Sequence, residues 1–195
     1  GAVAALQAPK LWRKFRARPD DYRLAPPVLA NSFPKSGTHL LFQIVDGLPN
    51  CENFGAFLAS MTSSFRFRER SADNASRFIR GIVPGEIVRG HLFFHPQNAD
   101  DLARQNVVHL FVYRDPRAVV VSEAHYLKDM NRWHQLAPYF RKLATMEEAI
   151  TLSITGFDPP IAGLVYPNIA ARFARYQGWL HCDDCLAIRF EDLAA

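Results

Sequence analysis

Short apolar runs recur along the chain from residue 28 onward, and turn-forming residues bound each of them. Residues 28–33 follow a pair of prolines, and the run Val-Leu-Ala-Asn-Ser-Phe predicts a buried strand. Residues 107–113 form the most continuous apolar run, which is typical of a central parallel strand covered on both faces. Shorter runs at 86–91 and 186–190 predict two more strands.

Segments with helical apolar spacing or helix-capping residues separate these strands, whereas much of residues 50–80 is harder to assign. Helices are predicted at residues 39–46, after a cap at Ser71, and at 100–105, 118–128, 146–154 and 168–179. This alternation without repeats predicts an α/β fold of three layers, with a central parallel sheet and helices on both faces, of the P-loop nucleotide-binding type. Ligands of such sheets collect at the carboxyl ends of the strands.

The composition excludes several classes of chain. The 195 residues are 49% apolar and 22% charged, which is close to the average for globular proteins and argues against disordered, collagen-like and coiled-coil chains. The length fits one domain, which we place at residues 28–195. Residues 1–27 form a basic, partly amphipathic arm, which we expect to pack on the domain rather than bind an anionic surface. The net charge of +4 suits an anionic ligand but is too small to indicate nucleic acid.

Neither a membrane span nor a metal site is indicated. No run approaches the ~20 apolar residues that cross a bilayer, and no signal peptide is recognisable, although Gly1 leaves an upstream segment open. The sequence indicates a soluble domain, with the cytoplasm slightly favoured, and leaves the oligomeric state open. Cys182 and Cys185 have CxxC spacing, but no second pair completes a zinc site, so we expect no metal there.

The turn at residues 34–38, Pro-Lys-Ser-Gly-Thr, has the composition of an anion site. It joins a strand to the N-terminus of a helix, where backbone N–H groups and the helix dipole attract negative charge. Gly37 lets the backbone approach a ligand closely, and Lys35 adds a full charge. The hydroxyls of Ser36 and Thr38 add donors.

The lysine precedes the glycine in a loop shorter than Walker A, which argues against an ordinary ATPase. A polar turn with a capping hydroxyl is the alternative interpretation.

A second candidate anion site follows the 107–113 run. Arg114 lies where the carboxyl edge of the sheet opens toward a ligand, and Ser122 is eight residues further on, about two helical turns into the next element. A guanidinium and a hydroxyl so placed can bind a second phosphate. Asp115 is expected to cap the helix, and Arg117 is expected to be exposed.

Together these motifs resemble those of sulfotransferases that use 3′-phosphoadenosine-5′-phosphosulfate (PAPS). The 34–38 turn is similar to the family's 5′-phosphosulfate loop, and Arg114 with Ser122 is similar to its 3′-phosphate motif. Residues 89–92, Arg-Gly-His-Leu, resemble the Lys-Thr-His segment that carries the catalytic base. Residues 189–193, Arg-Phe-Glu-Asp-Leu, resemble the family's Tyr-Glu-Asp-Leu strand end. The resemblance covers nearly the whole chain.

The resemblance implies transfer of a sulfuryl group from PAPS to a hydroxyl or amine acceptor, with 3′,5′-ADP as product and no metal. His91 is implied as the general base, and Lys35 is expected to stabilise the leaving phosphate. The residues expected to bind the nucleotide are Lys35, Ser36, Gly37, Thr38, His39, Arg114, Ser122 and Phe190.

The sequence departs from the family pattern at several positions. His39 replaces a common Thr, Leu40 replaces an aromatic residue that stacks on adenine in many relatives, and Phe190 replaces a Tyr. The C-terminal glycine-rich segment that usually closes over the 3′-phosphate is expected to be lacking, to lie on another polypeptide or to have been truncated. These departures bear on donor affinity more than on fold.

Alternatives remain for the base and for the function. Glu86, Glu123 and His95 are alternative bases, and Arg89 is a candidate for stabilising the transferring group. A P-loop kinase-like phosphotransferase is a second enzyme class, and it requires Mg-ATP and an acidic metal ligand. A non-catalytic nucleotide-binding module is the third interpretation.

The acceptor is predicted only as a class: a small molecule, a glycan or a peptide, and not a nucleic acid. An arginine-rich stretch interleaved with Phe65 and Phe67 suits an acidic acceptor, but the same alternation fits a strand with one solvated face. Its arginines are Arg66, Arg68 and Arg70. A second group of rings suits either an acceptor cleft or ordinary helix packing. These are Tyr126, Trp133, His134, Tyr139 and Phe140.

Overall fold

Parallel strands form one sheet at the centre of the molecule. The computed structural model describes residues 2–61 and 68–194, with side chains described from residue 8 onward. Within these residues the strands are β1 Val28–Ser32, β2 Phe57–Ala59, β3 Ile87–His91, β4 Val108–Tyr113 and β5 Cys185–Arg189. Their order across the sheet is β2-β3-β1-β4-β5, and every pairing is parallel.

Helices connect the strands, and their caps follow the sequence. The helices of the described residues are α1 Ala2–Arg16, α2 Asp21–Leu24, α3 Thr38–Asp46, α4 Ala72–Ile79, α5 Pro96–Arg104, α6 Pro116–His125, α7 Ala137–Arg141, α8 Met146–Thr155, α9 Ile169–Gln177 and α10 Phe190–Leu193. A π-helical turn, Tyr126–Met130, continues α6, and a 3₁₀ turn, Gly178–His181, continues α9. As predicted, the side chains of Ser71, Asp115 and Asn168 accept bonds from the first turns of α4, α6 and α9.

Alternate residues of the inner strands face opposite layers. In β1, Val28 and Ala30 belong to a cluster with Leu41 of α3, whereas Leu29 belongs to a second cluster that contains Trp179. Trp179 is fully buried, and its indole N–H donates to the carbonyl of Leu92 at 2.9 Å. The predicted α/β fold, with a parallel sheet and helices on both faces, is therefore confirmed.

β4, like β1, is an interior strand of the sheet, as predicted for residues 107–113. β1 pairs with β3 on one side and β4 on the other, and all five of its residues are buried. β4 lies between β1 and β5, and its first residue, Val108, is 44% exposed. The continuous apolar run of β4 therefore corresponds to a strand that is paired on both sides and largely buried beyond its first residue.

The N-terminal helices pack against the amino end of the sheet, as the sequence predicts for the arm. Lys10 Nζ lies 2.5 Å from a carboxylate oxygen of Glu86, and Arg13 lies 2.7 Å from Glu52. The backbone N–H of Gly85 donates to the carbonyl of Ala25 at 2.7 Å. None of the helices in the described ranges combines the length and the apolar content that crossing a bilayer requires.

A third apolar cluster lies among α6, α7, α8 and the segment before α9. Its buried members include Leu127, Leu136, Phe140 and Tyr166. Leu127, Leu136 and Tyr166 also line a large cavity. These helices therefore supply one wall of the site described next.

Candidate active site

A cavity of about 840 Å³ opens at the carboxyl edge of the sheet. It is lined by residues that end or follow β1, β3, β4 and β5, together with residues of α6 and its π-helical extension. Of the nine residues that the sequence singled out, eight line this cavity, and Ser36 is fully buried in the turn between two of them. The eight are Lys35, Gly37, Thr38, His39, His91, Arg114, Ser122 and Phe190.

The turn after β1 has a left-handed backbone at two positions. Lys35 has φ of 68° and Gly37 has φ of 91°, and the N–H of Ser36 donates to the carbonyl of Phe33 at 3.1 Å. Lysine is uncommon in this conformation, so the tight turn holds Lys35 at some cost in backbone strain. The turn leads directly into Thr38, the first residue of α3, and so brings the N-terminus of that helix to the cavity.

Lys35 is half-buried and has no carboxylate within ion-pair distance among the described residues. Its Nζ lies 3.9 Å from the centre of the Tyr126 ring, a cation–π contact with the π-helical turn. Desolvation lowers the pKa of Lys35, although the negative charge of Glu123 opposes this shift. A bound anion would stabilise this ammonium and offset its desolvation.

Hydroxyl groups of the turn link it to β1. The hydroxyls of Ser32 and Thr38 lie 2.8 Å apart, so β1 orients the first residue of α3. The buried hydroxyl of Ser36, in contrast, has no hydrogen-bond partner among the described residues. A buried orphan donor beside a lysine and a helix N-terminus fits a ligand that carries acceptor oxygens.

Arg114 lies beside this turn because Phe190 packs between the two. The Arg114 guanidinium is 4.4 Å from the centre of the Phe190 ring, and its Nε is 3.8 Å from Glu191. A Cβ atom on Gly37 would lie 2.3 Å from the same ring. The Arg114 Nε is buried without a hydrogen-bond partner among the described residues, so this side chain also fits an anionic ligand. The two predicted anion sites therefore face one cavity.

His91 is the last residue of β3. One of its ring nitrogens is hydrogen-bonded, and the other has no hydrogen-bond partner among the described residues. Its Nδ1 lies 2.8 Å from the carbonyl of Ser32 and 3.1 Å from that residue's hydroxyl. A carbonyl oxygen only accepts, so Nδ1 carries the proton, and in the neutral ring Nε2 is unprotonated. Desolvation lowers the pKa of His91, outweighing the bond to Ser32 that raises it. The ring is therefore neutral at pH 7, in the tautomer that a general base requires.

Comparison with known proteins identifies the fold. No protein-family model matches the sequence, and no curated protein matches it. Among solved structures, mouse sulfotransferase SULT7A1 complexed with PAP aligns with a TM-score of 0.54 and 19% sequence identity over 91% of this chain. This chain has the sulfotransferase fold. It spans about half of that structure's length, since the alignment covers 54% of the mouse chain.

Two of the three alternative bases lie outside the cavity of this sulfotransferase fold. Glu86 is fully buried next to the amino end of β3, where its carboxylate binds Lys10 and the N–H of Val83. His95 is exposed and caps α5. Neither residue lines the cavity: Glu86 lies at the amino end of β3, and the His95 side chain caps α5. Glu86 and His95 therefore do not share the cavity with His91.

Glu123 does line the cavity, but its carboxylate is already engaged. One oxygen accepts bonds from Ser153 at 2.6 Å, Tyr166 at 2.7 Å and Arg172 at 2.6 Å. The side chain is only 13% exposed. Glu123 therefore already has an ion pair and two further donors, whereas the Nε2 of His91 has no hydrogen-bond partner among the described residues.

Some of the other predicted site residues line the cavity, and others lie in an apolar cluster or at the surface. Arg89 binds Asp46 and lies 4.9 Å from the Phe42 ring, and it does not line the cavity. Tyr126 and His134 line the cavity, whereas Trp133 is 68% exposed. Tyr139 and Phe140 belong to the third apolar cluster. Arg66, Phe65 and Phe67 lie outside the described residues.

The two cysteines of the CxxC pair form no disulfide. Cys182 and Cys185 are free, and burial raises the pKa of Cys185 to about 12, which disfavours a thiolate. Within residues 2–61 and 68–194, no three His, Cys, Asp or Glu side chains form a group that could hold a metal ion.

Sequence reasoning missed several cavity residues. Phe57 stands 5.5 Å from the His91 ring, and Phe93 stacks beneath Arg175 at 4.8 Å. Phe57 lies in β2 and the two arginines, Arg172 and Arg175, lie in α9, and neither element carries a recognisable site motif. Phe93 lies just beyond the 89–92 motif at the end of β3. Only helical spacing along α9 signalled that one of its faces is buried.

Replacing Gly37 with alanine tests the contact between the turn and Phe190. The new Cβ meets the ring at 2.3 Å, and the positive φ costs about 1–2 kcal/mol for a non-glycine residue. We expect Gly37→Ala to lower the free energy of unfolding by about that amount and to weaken 3′,5′-ADP binding at least ~10-fold, through loss of a charge-assisted contact. Urea denaturation and calorimetry measure the two effects.

Gly163 provides a matched control, because it has φ of 80° and a Cβ atom added there would meet no described atom within 4 Å. Gly163→Ala should lose similar stability and keep full nucleotide affinity. Equal nucleotide affinity in both variants would mean that Phe190 does not position Arg114.

Proposed function

We propose that this chain is a sulfotransferase that moves a sulfuryl group from PAPS to a hydroxyl or amine acceptor. One observation carries the proposal: Lys35 and Arg114, which follow the neighbouring strands β1 and β4, line one cavity together with His91. PAPS would supply the sulfuryl group, whose bond to the phosphate oxygen breaks as a new bond to the acceptor oxygen forms. The sulfotransferase fold and the PAP complex of the mouse protein support this choice of donor.

Different residues of the chain would bind the two ends of the nucleotide and accept the proton of the acceptor. The N-terminus of α3, Lys35 and the Ser36 hydroxyl would hold the 5′ end of the nucleotide, where negative charge develops on the leaving phosphate. Arg114 and Ser122 would hold the 3′-phosphate. His91 would take the proton of the acceptor hydroxyl at Nε2, while the Ser32 carbonyl holds Nδ1–H.

A calorimetric comparison of nucleotides tests the proposal. The two anion sites predict that 3′,5′-ADP binds more tightly than adenosine 5′-phosphosulfate, which lacks the 3′-phosphate. Arg114→Gln should weaken 3′,5′-ADP binding by about 10–100-fold, the value of a hydrogen bond to a charged group. The same substitution should hardly change the affinity for adenosine 5′-phosphosulfate.

Arg117→Gln is the matched control, since the Arg117 side chain is 91% exposed and pairs with Asp115. It should bind both nucleotides normally. Tighter binding of Mg-ATP than of 3′,5′-ADP would favour a phosphotransferase instead. Tight 3′,5′-ADP binding with no transfer to any panel of phenols, sugars or peptides would favour a non-catalytic module.

A further inference from the structure

Cations outnumber carboxylates in the cavity wall. Among the described residues, one carboxylate, Glu123, lines the cavity, against five cationic side chains. The five are Lys35, Arg70, Arg114, Arg172 and Arg175. The cavity is therefore built for more negative charge than its own residues supply.

Three of these cations already have carboxylates nearby. Arg172 pairs with Glu123 at 2.6 Å, Arg175 with Glu69 at 2.8 Å, and Arg114 approaches Glu191 at 3.8 Å. Lys35 and Arg70 have no ion pair in the part of the chain that the structure describes. Lys35 is assigned above to the nucleotide, so Arg70 remains as a cavity cation without a role.

The backbone of Arg70 is hydrogen-bonded, but one nitrogen of its guanidinium group has no hydrogen-bond partner among the described residues. Its N–H donates to the carbonyl of Ser60 at 2.6 Å. Its Nε is buried and makes no hydrogen bond with any described residue. Residues 62–67 contain no Asp or Glu, so the sequence offers no carboxylate there either. A buried guanidinium nitrogen without a partner is costly unless a ligand satisfies it.

The sheet order places Arg70 on the acceptor side of the cavity. Arg114 and Phe190 follow β4 and β5, on one side of the β1 turn, whereas His91 ends β3 on the other side. Ser60, which follows β2, donates its N–H to the carbonyl of His91 at 3.0 Å and accepts from Arg70. The backbones of His91 and Arg70 are therefore two interstrand spacings of about 4.8 Å apart, a total distance of roughly 10 Å.

Aromatic side chains flank the region between these two residues. Phe57 packs edge-on against His91 at 5.5 Å, and Phe93 packs against Tyr176 at 5.0 Å. All three of these rings, Phe57, Phe93 and Tyr176, line the cavity. Apolar rings beside the base suit a planar, apolar part of a ligand, with the arginine beyond it.

We propose that Arg70 binds an anionic group of the acceptor, so that the preferred acceptor is an aromatic hydroxy acid whose hydroxyl faces His91 and whose carboxylate pairs with Arg70. This inference rests on the proposed sulfotransferase function for the identity of the reacting group. It assigns a specificity role to Arg70 and a chemical class to the acceptor.

Binding to the nucleotide-loaded protein tests the inference without requiring turnover. Calorimetry with 3′,5′-ADP-saturated protein compares 4-hydroxybenzoate, 4-hydroxyphenylacetate and 3-(4-hydroxyphenyl)propanoate with their methyl esters. The three acids span different distances from hydroxyl to carboxylate, and each ester removes only the charge. We expect at least one acid to bind about 10–100-fold more tightly than its ester, the value of a charge-assisted pair. Arg70→Gln should abolish this difference by weakening the acid alone.

Arg141→Gln is the control, because Arg141 is exposed at the end of α7 and does not line the cavity. It should retain the full preference for the acid. Equal affinities for every acid and ester, no binding of either, or an acid preference that survives Arg70→Gln would overturn the inference. The proposed function fails separately, through loss of 3′,5′-ADP binding or of transfer from PAPS to all acceptors.

Discussion

His91→Ala is expected to lower kcat for sulfuryl transfer by about 10²–10⁴-fold, the usual contribution of a positioned general base. The reason is the geometry of the ring: the Ser32 carbonyl binds Nδ1 at 2.8 Å, which leaves Nε2 as the proton acceptor in the cavity. His91 is not among the residues proposed to hold the nucleotide, so the affinity for 3′,5′-ADP should stay unchanged. Steady-state kinetics and calorimetry measure the two quantities.

His91→Asn separates proton transfer from positioning. The asparagine amide can still donate to the Ser32 carbonyl, but it cannot take up a proton. Its kcat should fall as far as that of the alanine variant. Recovery of most activity in His91→Asn would assign the ring a structural role, and full turnover in His91→Ala would remove it from the mechanism.

The pH dependence of kcat/KM provides a further measurement on the same residue. Since desolvation lowers the pKa of His91 below 6.5, the neutral base persists below that pH, and the acid limb should have an apparent pKa under 6.5. Desolvation also lowers the pKa of Lys35 below 10.5, so Lys35 loses its charge as the pH rises through that lowered pKa, and the alkaline limb should fall there. The acid limb should vanish in His91→Ala, whereas the alkaline limb should remain.

Arg172→Met is expected to lower the free energy of unfolding by about 3–5 kcal/mol, because it leaves the Glu123 carboxylate buried without its charged partner. Both side chains are largely buried, at 15% and 13% exposure, and they meet at 2.6 Å. Ser153 and Tyr166 donate to the same carboxylate, but neither carries a compensating charge. Urea denaturation followed by tryptophan fluorescence measures the loss.

The double variant Glu123→Gln/Arg172→Met is the informative control. It leaves no unpaired charge, so it should be more stable than Arg172→Met alone. Arg117→Gln, which breaks an exposed pair with Asp115, should be indistinguishable from the wild type. A loss below about 1 kcal/mol in Arg172→Met would indicate that solvent reaches Glu123 far more than its burial implies.

Local signals were sufficient for the parts of the fold that are fixed by neighbours in sequence. The strand and turn at residues 28–38, and the helix caps at Ser71 and Asn168, were all predictable. Each depends on turn geometry or on a side chain that bonds a backbone two or three residues away. β2 escaped prediction because a strand of three residues is too short to show a period.

The choice among candidate bases shows where local reasoning stops. Glu86 and His91 are five residues apart at the two ends of one strand, and both are titratable residues next to apolar ones. Only the parallel pairing of β3 with β1 and β2 shows that Glu86 lies at the closed end of the sheet and His91 at the open end. Glu123 is likewise a candidate base in the sequence, and only the fold shows that Arg172 and Tyr166 donate hydrogen bonds to its carboxylate.

The sequence by itself determined the alternation of strands and helices, the tight turn at Lys35 and the spacing of two helical turns between Arg114 and Ser122. These features depend on contacts within a few residues, which composition and spacing encode directly. The tertiary structure alone decided that Lys35, Arg114 and His91 share one cavity, and that Arg70 reaches it without a carboxylate partner among the described residues. Those relations depend on strand order and on packing between distant segments, which no local pattern specifies.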